Sequence, residues 1–404
     1  MSKKQEFKKE LLPNDHRNLG QFLDLFSFHD VSPGAPFWHP KGMTIVKELE
    51  KYIRKLQDEH GYLEISTPIM VKKKLFEQSG HWKFFKDDMF HFKVDKGTFA
   101  LKPMNCPEST LVYSHTKRSY RDLPLRLAEI GRLHRNELSG VLGGLLRVRQ
   151  ITMDDAHIYC RYDQIKSELV EILKMIQEFY QKLGLPVAYG LATRPKKALG
   201  SVKKWEEAEN TLAEALKEIG VSYQILKGEG TFYGPKIHFD IKDSLGRTWT
   251  IATAQLDFQM PERFNLQYTD EQGKPQRPAM IHRAIFGSFE RFIGILLEHF
   301  NGALPFWLSP VQVAVLTVTD EVGAYALAIE KELRQNNLRV FWDDRNETIG
   351  KKIRESELQK IPYLLLIGKK EAEAHTVAVR ERSKGDIGQM RVEKFLDKVN
   401  KDRF

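Results

Sequence analysis

The stretch that most constrains the fold runs from Leu125 to His157, LRLAEIGRLHRNELSGVLGGLLRVRQITMDDAH. Leu125 to Ile130 reads as a strand. A polar loop follows, broken by Ser139-Gly140 and Gly143-Gly144, and a second extended arm closes an antiparallel hairpin. If that arm is extended from Arg147 onward, period-two alternation puts Arg147, Arg149, Met153, Asp155 and His157 on one face. Asp154, Ala156, Ile158 and Cys160 then take the packed side. Two readings of the arginines stand together. One is a grip on an anion, because guanidinium forks match phosphate oxygens, and the other is a solvated basic hairpin.

With 404 residues the chain is long for a single core, so two or three domains are expected. A net charge of +9 suits a polyanionic partner. The longest apolar run, Tyr363 to Ile367, is too short to span a bilayer, so no membrane role is expected. The opening MSKKQEFKKELL lacks the apolar core of a secretion signal. Two cysteines, Cys106 and Cys160, exclude a disulfide framework and fit a cytoplasmic setting. Neither a Walker loop nor a Rossmann glycine fingerprint is present.

Ile45, Val46, Leu49, Tyr52, Ile53 and Leu56 form one helical stripe, followed by a strand at Leu63, Ile65 and Thr67 that Pro68 ends. In Lys102-Pro103-Met104-Asn105-Cys106-Pro107 two prolines stiffen a loop ahead of a helix. A cysteine at a helix start suits metal ligation or nucleophilic work through its thiolate, and equally a buried small apolar role. Amphipathic helices are expected over 163–184 and from about Val202 to Ile219, and strands over Ile237–Ile241 and Ala252–Phe258. The run from Met280 to Phe292 joins a strand to a helix at Gly287, with Arg291 near the helix start against the usual dipole preference. After Ser309-Pro310 strands and helices alternate, predicting a compact α/β domain with Asp343-Asp344-Arg345-Asn346 at a strand's carboxyl end.

Taken in order, KPMNCP, HRNE, RVR, DDAH, FYGPK, QLDF, MIHRA and GSFERF closely resemble the threonyl-tRNA synthetases, from Asp15-His16-Arg17 to Met390. The resemblance implies a polar arm over residues 1–14 and an α+β class II catalytic domain over 15–308, an antiparallel sheet flanked by helices. A smaller α/β anticodon-binding domain follows over 309–404. It further implies a homodimer that joins L-threonine to ATP, with Mg²⁺, and passes the threonyl group to tRNA(Thr). By position, Arg135, Arg291 and His81 would be catalytic, His81 in transfer to the ribose, and Arg135, Glu137, Arg147, Gln255, Ser288 and Arg291 would bind ATP. Asp155, Tyr233 and the position of Met153 would bind threonine, and Cys106, His157 and His282 would hold one Zn²⁺. Asn346, Arg354, Glu371 and Arg380 would read the anticodon.

The chain departs from the family pattern at several places. Glu108-Ser109 stands where Gly-His is usual, Met153 and Thr250 each replace a glutamine, Ile251-Ala252 replaces Cys-Gly, and Thr348 replaces a lysine. The family's amino-terminal and editing domains have no counterpart in the sequence, which leads to an expectation of serine misacylation. Two alternatives to a threonine enzyme follow: a paralogue with an altered pocket or inhibitor resistance, and a non-catalytic RNA-binding regulator.

Overall fold

The computed structural model describes residues 12–244 and 246–401. Two compact units are formed. One comprises Phe28–Pro36 and Ile53–Ile295, and the other the chain up to Ser27, Phe37–Tyr52 and Leu296 onward. The helical stripe predicted from Ile45 to Leu56 lies in α1 (Pro40–Glu59), and all six of its apolar residues are buried.

The first unit is built on eight strands: β1 (Leu63–Glu64), β2 (Leu125–His134), β3 (Gln150–Cys160), β4 (Val187–Ala192), β5 (Tyr223–Leu226), β6 (Lys236–Lys242), β7 (Thr248–Asp257) and β8 (Ala279–Ser288). Their order across the sheet is β5-β4-β6-β7-β8-β3-β2-β1. The interior pairings are antiparallel, as expected, whereas the outermost pairs, β1–β2 and β4–β5, are parallel. The helices of this unit include α2 (Cys106–Ser114), α3 (Ile165–Lys182), whose apolar face is buried, and α4 (Val202–Glu218).

Several expectations needed correction. The β2–β3 hairpin pairs in unbroken register from Leu125↔Tyr159 to His134↔Gln150, so its second arm starts at Gln150. Arg147 and Arg149 therefore lie in the connection, where short 3-10 turns at Ser139–Val141 and Gly144–Leu146 replace extended chain. Gly143 donates its N–H to the Arg147 carbonyl at 3.2 Å, which curls the backbone away from a ladder. The strand read from Leu63 to Thr67 shortens to Leu63–Glu64. At Thr67 the backbone N–H is taken by the Glu129 carboxylate at 2.8 Å, a side chain substituting for the next ladder bond.

β4 and β5 were not foreseen, since each is short and sits beside a helix with a stronger periodic signal. A separate three-stranded sheet, Met70–Lys72, Gly97–Leu101 and His91–Val94, was also missed, although Asp95-Lys96-Gly97 is a turn signal between two alternating runs.

In the second unit the alternation after Ser309 gives β9 (Val313–Thr317), β10 (Val340–Asp343), β11 (Tyr363–Ile367), β12 (Val377–Glu381) and β13 (Gly385–Met390), ordered β10-β9-β11-β12-β13. The first two pairings are parallel and the last two antiparallel. Val315, Leu333, Leu365 and Phe395 belong to one buried cluster at its core.

Candidate active site

His157 on β3 and His282 on β8 are direct cross-strand partners, so adjacent strands present two imidazoles at one level. Cys106, first residue of α2, comes from the proline-stiffened loop. One ligand atom from each of the three lies within 4.8 Å of the others, and all three residues are buried. The rings of His157 and His282 stand edge to face, 5.0 Å apart. His282 Nε2 is 3.0 Å from Asp257 Oδ2, and Asp257 Oδ1 accepts from the backbone N–H groups of Gln259 and Met260. A fully buried carboxylate thus orients the ring and leaves its Nδ1 for another partner, the usual outer support of a metal-bound histidine.

Burial, helped by the neighbouring His282, holds the His157 imidazole well below its ordinary pKa. Burial also drives the Cys106 thiol up, and Asp155, Glu108 and Asp257 push the same way. The helix start that sequence reasoning credited with stabilising a thiolate is outweighed by this desolvation and by three carboxylates. Two imidazoles with one cysteine sulfur make a donor set that fits zinc.

The other predicted residues arrange themselves around this cluster. Asp155 accepts from Asn105 Nδ2 at 3.0 Å. Tyr233 donates its hydroxyl to Gln255 Oε1 at 2.6 Å, and its ring lies 5.3 Å from that of His282. Gln255, predicted to bind ATP, thus faces Tyr233 near His282. His81 is buried with Nδ1 2.8 Å from Ser79 Oγ, and its Nε2 is 3.2 Å from Met104 Sδ and 3.6 Å from Cys106 Sγ. Burial, then His282, pulls its pKa down to about 4. Met153 is half-buried against Leu133, Val148 and Ile151.

Asn105, Asp257 and Gly131 were missed as site residues. Gly131 pairs with Met153, and a Cβ there would stand 2.4 Å from Asn105 Oδ1, so only glycine lets Asn105 reach Asp155. Asp257 carried a usable signal, since alternation already set it on the face of Thr253 and Gln255.

The arginines gather at the other end of β3. Arg135 donates Nε to the Pro103 carbonyl at 3.3 Å, and Arg291 donates Nε to the Leu146 carbonyl at 3.0 Å. Arg147 pairs with Glu137 at 2.8 Å, while Arg149 donates to the Glu137 carbonyl. Burial lowers the Arg291 pKa, and Arg135 and Arg147 lower it further as like charges nearby. The Arg291 side chain is nonetheless open to solvent at its surface. Ser288 Oγ accepts from the Arg291 N–H and donates to Glu290, at the start of α5 (Phe289–His299). Three cations share Glu137 as an anionic neighbour, a surplus of positive charge suited to phosphate.

At the departures from the family pattern, Glu108 is buried with no hydrogen-bond partner for either carboxylate oxygen among the described residues, and burial raises its pKa to about 8. Ser109 bonds to the Tyr159 hydroxyl at 2.9 Å. Thr250 on β7 donates to its cross-strand partner Asp240 on β6, and Ile251 and Ala252 are buried in β7.

In the second unit Asn346 and Arg354 are exposed, on the loop after β10 and on α6 (Ile349–Leu358) respectively. Glu371 accepts from the Gly368 N–H at 2.9 Å, and Arg380 lies 3.6 Å from Glu357. Thr348 accepts from the Lys351 N–H and caps α6, a role lysine cannot fill.

A mixed, largely antiparallel sheet flanked by helices, followed by a smaller α/β domain, is the architecture of a class II tRNA synthetase. Residues 90–300 match the tRNA synthetase class II core domain (G, H, P, S and T), and residues 312–402 match the anticodon binding domain. The chain is 53% identical over 393 residues to the threonine–tRNA ligase of Carboxydothermus hydrogenoformans, covering 97% of this chain and 62% of that protein. It is 51% identical over 394 residues to a Clostridium botulinum threonine–tRNA ligase, covering 98% and 62% respectively. The chain thus spans 62% of the length of these relatives. The crystal structure of the RNA binding domain of threonyl-tRNA synthetase from Cryptosporidium parvum superposes with a TM-score of 0.92 at 42% identity, over 97% of this chain and 98% of that one. The chain belongs to the threonyl-tRNA synthetase family. No helix among the described residues is long and apolar enough to cross a membrane.

Proposed function

We propose that this chain activates L-threonine with ATP, as a Mg²⁺ complex, and transfers the threonyl group to tRNA(Thr). The observation that carries the reading is the convergence of Cys106, His157 and His282 beside Asp155, at one end of a strand whose other end faces three arginines. Cys106, His157 and His282 would hold one zinc ion. Bound there, zinc would supply a Lewis acid with open positions for the amino and hydroxyl groups of threonine.

Asp155 would accept from the threonine hydroxyl, and Tyr233 would line the amino-group side. A substrate without the hydroxyl leaves Asp155 with Asn105 but without that additional donor, so valine is rejected by a polar rather than a steric distinction. Arg135 would hold the α-phosphate and neutralise charge that develops during in-line attack. Arg147 would reach the outer phosphates and Arg291 would lie across the adenine, with Glu137 accepting from its amino group. His81 would act in transfer to the ribose, with Nδ1 held by Ser79 and Nε2 turned toward Met104 and Cys106.

Asn346, Arg354, Glu371 and Arg380 would read anticodon bases, with surrounding lysines and arginines adding backbone affinity. A homodimer in the cytoplasm completes the reading. Serine offers the same amino and hydroxyl groups as threonine, so the site as built here separates them by one methyl group.

Pyrophosphate exchange across the twenty amino acids, with and without a zinc chelator, tests the proposal. The expected result is strong exchange with threonine, weaker exchange with serine, none with valine, and loss of all exchange after chelation. A maximum on another amino acid indicates a paralogue with an altered pocket. Absence of exchange with every amino acid, together with retained tRNA binding, indicates the non-catalytic regulator. Either result overturns the proposal.

A further inference from the structure

Between the pairs Ala284↔Asp155 and Ser288↔Met153, β8 advances four residues while β3 advances two. The surplus backbone, Ile285 to Gly287, bulges out of the β3 ladder immediately before α5. Buried N–H groups thrown out of a ladder need other acceptors. Here one side chain supplies them. Asp154 Oδ2 accepts from Ile285 N at 2.9 Å and Phe286 N at 3.3 Å, and Oδ1 accepts from Gly287 N at 2.8 Å. Asp154 is fully buried, with Arg283 Nη1 3.9 Å away.

The turn has little freedom to adopt another form. Gly287 has φ +70°, and a Cβ there would meet the Ile251 carbonyl at 3.1 Å. A second tie runs the other way across the same strands. Glu290 accepts from the Thr152 N–H through both oxygens, at 3.1 and 2.9 Å, and from Ser288 Oγ. Asp154 and Glu290 thus bracket Met153 and fasten the strand-to-helix joint to β3 on both sides. Arg291 follows directly after that joint, as the third residue of α5.

We infer that Asp154 is a positioning residue for ATP, setting the direction of Arg291 through the Ile285–Gly287 turn without touching the nucleotide. This rests on the ATP-dependent reading above. A carboxylate is suited to the task because it offers two acceptor oxygens to three donors. The isosteric amide offers one oxygen and turns an NH₂ group toward an N–H. The effect should therefore pass through Arg291. A residue that only filled the core would disturb nucleotide, amino acid and metal alike.

The test is a double-mutant cycle read as Mg·ATP binding by calorimetry on the full chain, with Asp154→Asn made in the unaltered and Arg291→Ala backgrounds. Asp154→Asn is expected to weaken ATP about tenfold in the first background and to add little in the second. Zinc content and the KM for threonine should stay unchanged. Equal weakening in both backgrounds overturns the inference, as does no weakening, or loss of zinc and threonine affinity in parallel. If circular dichroism shows Asp154→Asn unfolded, Glu290→Gln replaces it in the same cycle with the same two outcomes, since it loosens the opposite tie. The assay does not involve threonine, so failure of threonine exchange with ATP binding intact would sink the preceding proposal alone. Failure of the unaltered chain to bind ATP overturns both.

Discussion

The ends of β3 and the surface of the second unit handle charge in opposite ways. Around β3, Arg135 and Arg291 donate to backbone carbonyls, and with Arg147 they share Glu137 as an anionic neighbour. In the second unit Arg345 donates to both oxygens of Asp343 and to Glu355, Lys384 pairs with Glu381, and Arg380 approaches Glu357. The first arrangement holds Arg135, Arg147 and Arg291 close together with Glu137 as their common anionic neighbour, which leaves like charges repelling one another. The second pairs Arg345, Arg380 and Lys384 with carboxylates, while Asn346 and Arg354 are exposed. Clustered arginines suit an anionic ligand, while paired charge suits a surface that holds a shape.

This contrast can be broken at several points. The largest effect is expected at the metal ligands. Cys106→Ser should abolish zinc measured by atomic absorption and lower threonine-dependent exchange by roughly 10³-fold or more, because one thiolate of a three-ligand set is lost. Retention of both zinc and activity would remove the metal from the account.

Next come the arginines, which should separate cleanly. Arg291→Ala is expected to cost about 10²-fold in exchange. Arg354→Ala should leave exchange intact and raise the KM for tRNA in aminoacylation by about tenfold. Equal loss of exchange in both variants would erase the distinction between the two regions.

A smaller gain is expected from Met153→Gln. Met153 presents a thioether where the family pattern has an amide, and restoring the amide should raise kcat/KM for threonine by roughly five- to tenfold, equivalent to about one hydrogen bond. An unchanged or lower value would show that packing against Leu133, Val148 and Ile151 matters more than the lost donor.

The smallest effect concerns the paired charges. The hydrogen bond from Arg345 is the main cause that holds the Asp343 carboxyl below its ordinary value. A depressed folded pKa gives stability that is complete above the unfolded value near 3.8 and is lost as pH falls through the folded value. Asp343→Asn should therefore cost about 1 kcal/mol in urea unfolding at pH 7, discounted for the half-exposed Arg345. The gap between variant and parent should narrow as the pH is lowered toward 3. A gap constant with pH would assign the loss to packing.

Helical stripes such as Ile45 to Leu56, and the strand Tyr363–Ile367, were legible because periodicity is a local property and burial follows it. The alternation of β3 also sorted Asp154 from Asp155 correctly, one buried in the sheet and one facing Cys106 and His157. Arg147 and Arg149 lie outside the ladder because the turns before them delay the start of the second arm to Gln150, and backbone bonding decides that. Glu108 is buried without a hydrogen-bond partner among the described residues, and nothing in the structure explains why it stands there.

By itself the sequence determined the hairpin at Leu125–His157, the α/β alternation after Ser309 and, through motifs in a fixed order, the family. Tertiary structure decided the rest. Cys106, His157 and His282 become one donor set only when β8 pairs with β3 and α2 starts beside them, and no local spacing encodes that register. Asn105 against Gly131, Asp257 behind His282 and Asp154 under the Ile285–Gly287 turn are settled the same way. Each depends on where buried polar atoms of distant segments must find partners, a requirement that exists only once the strands are side by side.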